Sequence, residues 1–161
     1  MSDEADEMDA FRHANPFALW HAVPPALRSV VPNVSWDRVR MHALVSPAVA
    51  IEVDELRWQL NMPCWRSGPE EPHFSLSPNQ VRQQPERFAR HWQRTSDSDL
   101  RFPIHVLRRD QLIILDGMHR LLKAEVQAMQ TIRAHIVELA VFREEVVELA
   151  NSAAFRADAD R

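Results

Sequence analysis

The stretch that decides the fold runs from Leu112 to Ala124 and reads LIILDGMHRLLKA. Its first four residues suit a buried strand, Asp116-Gly117 suits a tight turn, and the following residues space their apolar side chains as a helix does. The chain has only 2 glycines, so Gly117 indicates a position that needs a positive φ or a close backbone approach. The sequence therefore predicts a strand, a turn and a helix in direct succession.

The predicted turn has the features of an anion site. The first N–H groups of a helix lack internal partners and lie at the positive end of the helix dipole. His119 and Arg120 fall in the first helical turn, where their side chains add donors for a phosphate. Asp116 either caps the helix or orients a water or a metal ion. The alternative is that these residues only cap and turn the chain, since short motifs often occur by chance.

A second motif precedes this stretch. Pro103-Ile104-His105-Val106 is followed by a predicted hairpin, and then by the apolar strand and the Asp-Gly-Met-His-Arg turn. This order resembles the ParB/sulfiredoxin-like superfamily. The resemblance covers residues 49–137 and is tightest over 102–124. It implies an α+β fold with a small mixed sheet and packed helices, to which this chain adds an N-terminal extension and a C-terminal helix.

The turn also separates the activities within that superfamily. Sulfiredoxins carry a catalytic cysteine just before the His-Arg pair, where this chain has Met118, and a methionine cannot form a thiolate. Partition proteins that hydrolyse CTP have a Gly-Glu-Arg-Arg type of box instead. The Asp-Gly-x-His-Arg form is closest to the free serine kinases and to uncharacterised small ParB-like proteins.

The resemblance thus implies a nucleotide-dependent phosphotransferase or nucleotide hydrolase that acts on a small hydroxylated metabolite, with ATP or ADP and Mg²⁺ as cofactors. Gly117 and Met118 would hold the nucleotide phosphates with the helix N-terminus. His119 and Arg120 would contact the phosphates and stabilise charge on the transferring group. Asp116 would bind the metal or the acceptor hydroxyl.

A catalytic base is also implied, because a glutamate from an early segment plays that part in the free serine kinases. Glu52 is the first choice in this chain, and Glu55 and Asp54 follow. The alternative for each of them is a solvated residue at a strand end or a helix cap.

Two other functions remain open. One is a non-catalytic module that binds a nucleotide or a phosphate and docks to a protein partner. The other is DNA binding or nuclease action, which has the least support. The formal net charge is −4, and no helix-turn-helix pattern follows residue 137, so DNA is not expected as a partner.

Composition sets the outer limits. A chain of 161 residues with 45% hydrophobic content is large enough for one domain with a core. No apolar run is long enough to cross a membrane and the N-terminus is acidic, so we expect a cytoplasmic protein without a membrane partner. Cys64 is the only cysteine and is interpreted as a packed apolar residue.

We expect four segments: a disordered acidic tail (1–10), a helical extension (11–48), the core (49–137), and a C-terminal helix and tail (138–161). In the extension, Ser35 is the predicted N-cap of a helix over Trp36–His42. The C-terminal helix is predicted over Val141–Phe155, where it packs on the core or forms a homodimer.

Within the core, the patterns predict the following elements in order: a strand at 49–53, a helix at 55–61 capped by Asp54, a loop at 62–72, a helix after Ser77-Pro78, a helix after Pro85 with Phe88 and Trp92 facing inward, a hairpin from 101–107 and 111–115, a helix over 118–129, and a strand at 132–136. The helix over 118–129 is expected to bury Leu121, Leu122, Val126 and Met129. Trp65, in the loop, either closes the core or stacks on a nucleobase.

Overall fold

A four-stranded mixed sheet organises the fold. In the computed structural model, which describes residues 24, 25, 28, 36–72 and 74–146, the strand order is β1-β4-β2-β3. The strands are β1 (Val49–Glu52), β2 (Ile104–Arg108), β3 (Leu112–Asp116) and β4 (Thr131–Glu138). β2 runs parallel to β4, and the other neighbouring pairs are antiparallel. The predicted α+β class with a small mixed sheet is confirmed.

Short helices accompany the sheet. They are α1 (Arg38–His42), α2 (Val53–Leu56), α3 (Pro78–Gln83), α4 (Ala89–Asp97), α5 (Met118–Val126) and α6 (Leu139–Val141). A 3₁₀ turn, Arg57–Asn61, follows α2, and a π-helical turn, Phe142–Val146, follows α6.

The chain divides into two units. Val45–Leu139 contains the sheet and α2 to α5, whereas Met1–Leu44 and Ala140–Arg161 form the other unit. In the latter, the Asp37 N–H donates to the Val146 carbonyl over 2.8 Å. The predicted acidic tail, most of the extension and residues 147–161 of the predicted C-terminal helix and tail lie outside the described residues.

The core of the larger unit lies between the sheet and helices α2, α3 and α5. Phe88 and Trp92 are partly buried against it, as predicted. A fully buried aliphatic side chain contributes about 1.5–3 kcal/mol relative to an exposed one. The buried cluster consists of Ile51, Val53, Leu56, Leu60, Leu76, Val81, Ile104, Val106, Leu121, Leu122, Ala124, Ile132 and Ala134.

The start of α3 confirms the predicted helix opening. Ser77 Oγ accepts a hydrogen bond from the Gln80 N–H over 3.2 Å, and Gln80 Oε1 accepts one from the Ser77 N–H over 2.8 Å. Pro78 follows at the first helical position. This reciprocal capping, with a proline that lacks an N–H to satisfy, explains why the helix begins here.

Three predicted helix starts were wrong. Asp37, and not Ser35, caps α1 by accepting from the Val39 and Arg40 N–H groups. Asp54 lies inside the first turn of α2 and pairs with Arg57, while the N-cap position is Glu52. The helix expected after Pro85 begins only at Ala89.

The predicted end of α5, at residue 129, was also wrong. Ala128 has a φ of 53°, its N–H donates to Glu125, and the Met129 N–H donates back to Ala124. This is a Schellman ending with alanine in the position that glycine usually takes. It stops the helix early, so Val126 and Met129 are 39% and 37% exposed. The Ala124 side chain is buried instead.

Candidate functional site

The turn between β3 and α5 requires its glycine. Gly117 has a φ of 112°, and a Cβ placed there would lie 2.5 Å from Ile104 Cγ2. Both the backbone conformation and the space exclude a side chain. No side chain caps α5. Within the described part of the chain, the N–H groups of residues 118–120 have no hydrogen-bond acceptor. These N–H groups are the donors that an anion could contact, and anion binding at this turn stays a prediction.

Arg120 holds this turn against the segment that enters β2. Its Nη1 donates to the Phe102 carbonyl over 2.9 Å and to the Pro103 carbonyl over 2.6 Å. Its Nη2 lies 3.3 Å from Asp116 Oδ2. The two side chains are only 18% and 22% exposed. Three donors that the sequence interpretation assigned to a phosphate are therefore directed at the protein itself.

Asp116 and Met118 both have side-chain partners within the protein. Asp116, the predicted metal ligand, is paired with Arg120, so a metal ion at that carboxylate would compete with the guanidinium. The Met118 side chain packs against the core, which leaves its backbone N–H as the group that can contact a ligand.

His119 lies in an aromatic cluster with Trp65 and His91. The Trp65 ring is stacked 4.2 Å from the His119 ring and 4.6 Å from the His91 ring, measured between centroids. The imidazole centroids are 5.5 Å apart. If the indole ring lay between the two imidazoles, the distance between the imidazole centroids would be nearly twice the distance from either of them to Trp65. The two imidazoles therefore lie side by side on one face of the indole.

A chain of hydrogen bonds connects this cluster to the loop. His91 Nδ1 lies 3.2 Å from His119 Nε2, and His91 Nε2 lies 3.0 Å from the Arg66 carbonyl. His91 is carried by α4 and His119 by α5. Lys123 Nζ joins the same two helices by donating to the Ser96 and Ser98 carbonyls over 2.8 and 2.5 Å.

The surroundings of His119 keep its ring neutral. Burial, together with the positive charge of Arg94 and the nearby His91, lowers the pKa of His119 from the ordinary 6.5 to about 4, against the opposing effect of Asp116. At neutral pH, His119 therefore acts through lone pairs and N–H donors rather than through charge. The predicted stabilisation of the transferring group by His119 would therefore come from an N–H donor of a neutral ring.

The predicted bases lie elsewhere. Glu52 pairs in register with Thr131 of β4, whereas Asp116 pairs with His105, which pairs with His135 of β4. Four positions along β4 and three strand spacings across the sheet separate Glu52 from Asp116. That is roughly 13 Å along the strands and roughly 14 Å across them. Asp54 pairs with Arg57, which also pairs with Glu125 near the C-terminal end of α5, so the fold places neither Glu52 nor Asp54 at the turn. Glu55 follows Asp54 in α2 and is exposed.

Glu52 lines a different feature, an open polar groove of about 430 Å³ near the C-terminal end of α5. Ion pairs cross it: Arg57 and Arg82 both pair with Glu125. The full lining consists of Glu52, Asp54, Arg57, Arg82, Glu125, Ala128, Met129 and Gln130.

Cys64 precedes Trp65 in the loop. Burial raises the pKa of its thiol to about 12, so the thiolate is not formed at neutral pH. This agrees with the interpretation of Cys64 as a packed apolar residue.

The sequence interpretation left Trp65 open and missed His91. His91 lies 28 residues before His119, and its sequence neighbours carry no motif. Only the packing of α4 on α5 brings the two histidines together. A histidine among the arginines of α4 was the single available signal.

No protein-family model, curated protein or solved structure was found to match the chain. The ParB/sulfiredoxin-like assignment therefore stays a prediction based on the residues of the motif. No helix among the described residues is long and apolar enough to cross a bilayer.

Proposed function

We propose that this chain is a nucleotide-dependent phosphotransferase that binds its nucleotide at the N-terminus of α5 and phosphorylates a small hydroxylated metabolite. ATP or ADP with Mg²⁺ is the expected cofactor set. The observation that carries the proposal is the Gly117 turn, where a glycine with positive φ opens an uncapped helix of nine residues. A cytoplasmic location belongs to the same proposal, because that is where a metabolite kinase meets its substrates.

The charges near the turn support a phosphate ligand. The N-terminal end of α5 is equivalent to about half a positive charge. Arg94 adds a full charge close enough to lower the pKa of His119. A phosphate bound at the N–H groups of residues 118–120 would be attracted by both.

A non-catalytic phosphate-binding module is the second candidate. The placement of Glu52 and Asp54 away from the turn favours it, since a kinase needs a base within hydrogen-bond reach of the acceptor hydroxyl. The two candidates share the ligand and differ in whether a phosphoryl group is transferred.

DNA binding has less support. A nucleic-acid surface needs arginines that share one accessible face. Arg82 is paired with Glu125 and Arg101 with Asp99, so two of the arginines in this region already have acidic partners.

The test of ligand binding is the thermal stability of the purified chain with ATP, ADP and CTP, with and without Mg²⁺. A ligand at about 100 times its Kd stabilises the native state by about 2.7 kcal/mol, which raises the melting temperature by several degrees. Failure of every nucleotide to raise it would overturn the proposal.

A matched pair of variants locates the site. Arg94→Ala removes the charge that acts on His119, and Arg90→Ala removes an exposed arginine one turn earlier on the same helix. We expect the nucleotide-induced shift to shrink in Arg94→Ala and to persist in Arg90→Ala. Equal loss in both would place the ligand elsewhere.

Catalysis is tested separately. The chain is incubated with the nucleotide that binds and a panel of hydroxylated metabolites, beginning with serine, and phosphomonoester formation is followed by ³¹P NMR. Formation of a phosphomonoester would identify the chain as a phosphotransferase. Binding without any product supports the module.

A further inference from the structure

The His91–His119 pair offers a base that the sequence interpretation did not consider. It lies at the start of α5, where the proposed phosphate site lies, and no described carboxylate other than Asp116 is placed in that turn. The two rings and the indole of Trp65 are nearly parallel, with interplanar angles of 8°, 16° and 13°. This parallel packing holds both imidazole rings in fixed orientations.

The hydrogen bonds fix where the protons lie. A carbonyl only accepts, so the proton between His91 and Arg66 belongs to His91 Nε2. A neutral His91 then has a lone pair on Nδ1, which accepts from the facing nitrogen of His119. His119 must carry its proton on Nε2, and its Nδ1 keeps a lone pair. No described residue forms a hydrogen bond to that Nδ1.

We infer that His91 is a positioning residue that holds His119 in the Nε2–H tautomer, so that His119 Nδ1 serves as the proton acceptor for the hydroxyl of the phosphorylated metabolite. This inference rests on the proposed phosphotransferase function. It assigns to His119 the part that the resemblance gave to an early glutamate.

Phosphoryl transfer exchanges one oxygen–phosphorus bond for another. The hydroxyl oxygen of the metabolite forms a bond to the terminal phosphorus of the bound nucleotide, and the bond from that phosphorus to the bridging oxygen breaks. The hydroxyl proton moves to His119 Nδ1, and the imidazolium later returns it to water. The products are a phosphomonoester and the nucleotide shortened by one phosphate.

Three groups face His119 and act on this proton: Arg94 and His91 from α4, and Asp116 from the end of β3. Arg94 opposes protonation of the ring. Negative phosphates bound beside Arg94 offset its charge, so the nucleotide makes His119 a better proton acceptor once it is bound.

The first test measures the tautomer directly, in the full chain labelled with ¹⁵N-histidine. Long-range ¹H–¹⁵N correlations distinguish the ring nitrogen that carries the proton from the one with the lone pair. We expect the proton of His119 on Nε2 at neutral pH. A proton on Nδ1 of His119 in the wild-type chain would overturn the inference.

Two variants of His91 test its positioning role. His91→Asn keeps an acceptor near the place of Nδ1, so His119 should remain in the Nε2–H form. His91→Phe keeps a ring on Trp65 but removes the acceptor, so His119 should become a mixture of tautomers. An unchanged tautomer in His91→Phe would show that His91 does not position His119. Should His91→Phe fail to fold, the wild-type and His91→Asn spectra still decide the matter.

The kinetic readout separates this inference from the proposed function. His91→Phe should lower kcat by about 10–100-fold, the range for partners that orient a functional imidazole, with little change in KM and with rescue in His91→Asn. A wild-type kcat in His91→Phe would overturn the inference while the phosphotransferase stands. A chain that shows the expected tautomer but transfers no phosphate to any acceptor would instead refute the function.

Discussion

Gly117 is the residue on which the geometry of the turn depends most directly. Gly117→Ala combines a positive φ with a Cβ 2.5 Å from Ile104 Cγ2. We expect it to lower the free energy of unfolding by about 1–3 kcal/mol, the range for a strained backbone position, as measured by urea denaturation. Gly68→Ala is the matched control, since its Cβ would meet only Glu71 Cγ at 3.5 Å. Equal effects in the two variants would show that the turn is not strained.

Arg120 is an anchor at the same scale. Arg120→Ala removes hydrogen bonds to Phe102, Pro103 and Asp116, and we expect a loss of about 1.5–3 kcal/mol of stability, the range for charged donors. Arg101→Ala is the control: that side chain is 88% exposed, and solvent screens its ion pair with Asp99. Urea denaturation of both compares them, and a cost for Arg120→Ala no larger than for Arg101→Ala would contradict the anchor.

At the scale of elements, β3 is an edge strand whose outer side is covered by one side chain. Gln59 is 1% exposed, its Nε2 donates to the Leu112 carbonyl over 3.0 Å, and its Oε1 accepts from the Ile114 N–H over 2.9 Å. The amide thus takes the place of a fifth strand at two backbone groups of β3.

Gln59→Leu should leave these two backbone groups without partners. We expect a loss of about 1–3 kcal/mol, the cost of an unsatisfied buried polar group. Gln83→Leu, on the exposed side of α3, should change stability by no more than about 0.5 kcal/mol. Chemical denaturation measures both; indistinguishable values would mean that water satisfies the edge of β3.

The elements differ in how far the sequence predicted them. The β3–turn–α5 stretch and the Ser77-Pro78 helix start carry local signals, namely a glycine, a cap and a hydrophobic period, and both were found. The end of α5 was missed because Ala128 takes a conformation for which glycine is the usual signal. Gln59 was missed because its partners lie more than 50 residues away, and no spacing along the chain encodes that contact.

The same distinction holds for the candidate site. Gly117 follows from composition and turn chemistry alone. The placement of Glu52 depends on the register of β1 against β4, and the His91–His119 pair depends on the packing of α4 on α5. Neither contact is local in the sequence, so the turn could be predicted from the sequence and its neighbours could not.

At the scale of the whole molecule, His119 links stability to pH. Its pKa is about 4 in the folded chain and 6.5 ordinarily, so the unfolded chain takes up a proton first as the pH falls. The contribution of the neutral His119 ring to the stability of the folded chain is therefore complete above pH 6.5 and is lost progressively towards pH 4. After allowance for solvent screening, we expect wild type to lose about 1–2 kcal/mol more than His119→Gln over this window. If the free energy of unfolding of the two proteins fell equally with pH, the conclusion that His119 is buried and neutral would be contradicted.

The central claim is that a nucleotide phosphate binds at the N-terminus of α5, and an NMR titration of the ¹⁵N-labelled chain with ATP and Mg²⁺ tests it most directly. The claim predicts that the backbone amide resonances of Met118, His119 and Arg120 shift most and saturate together. Shifts confined to the groove around Arg57 and Arg82, or no shifts at all, would contradict it.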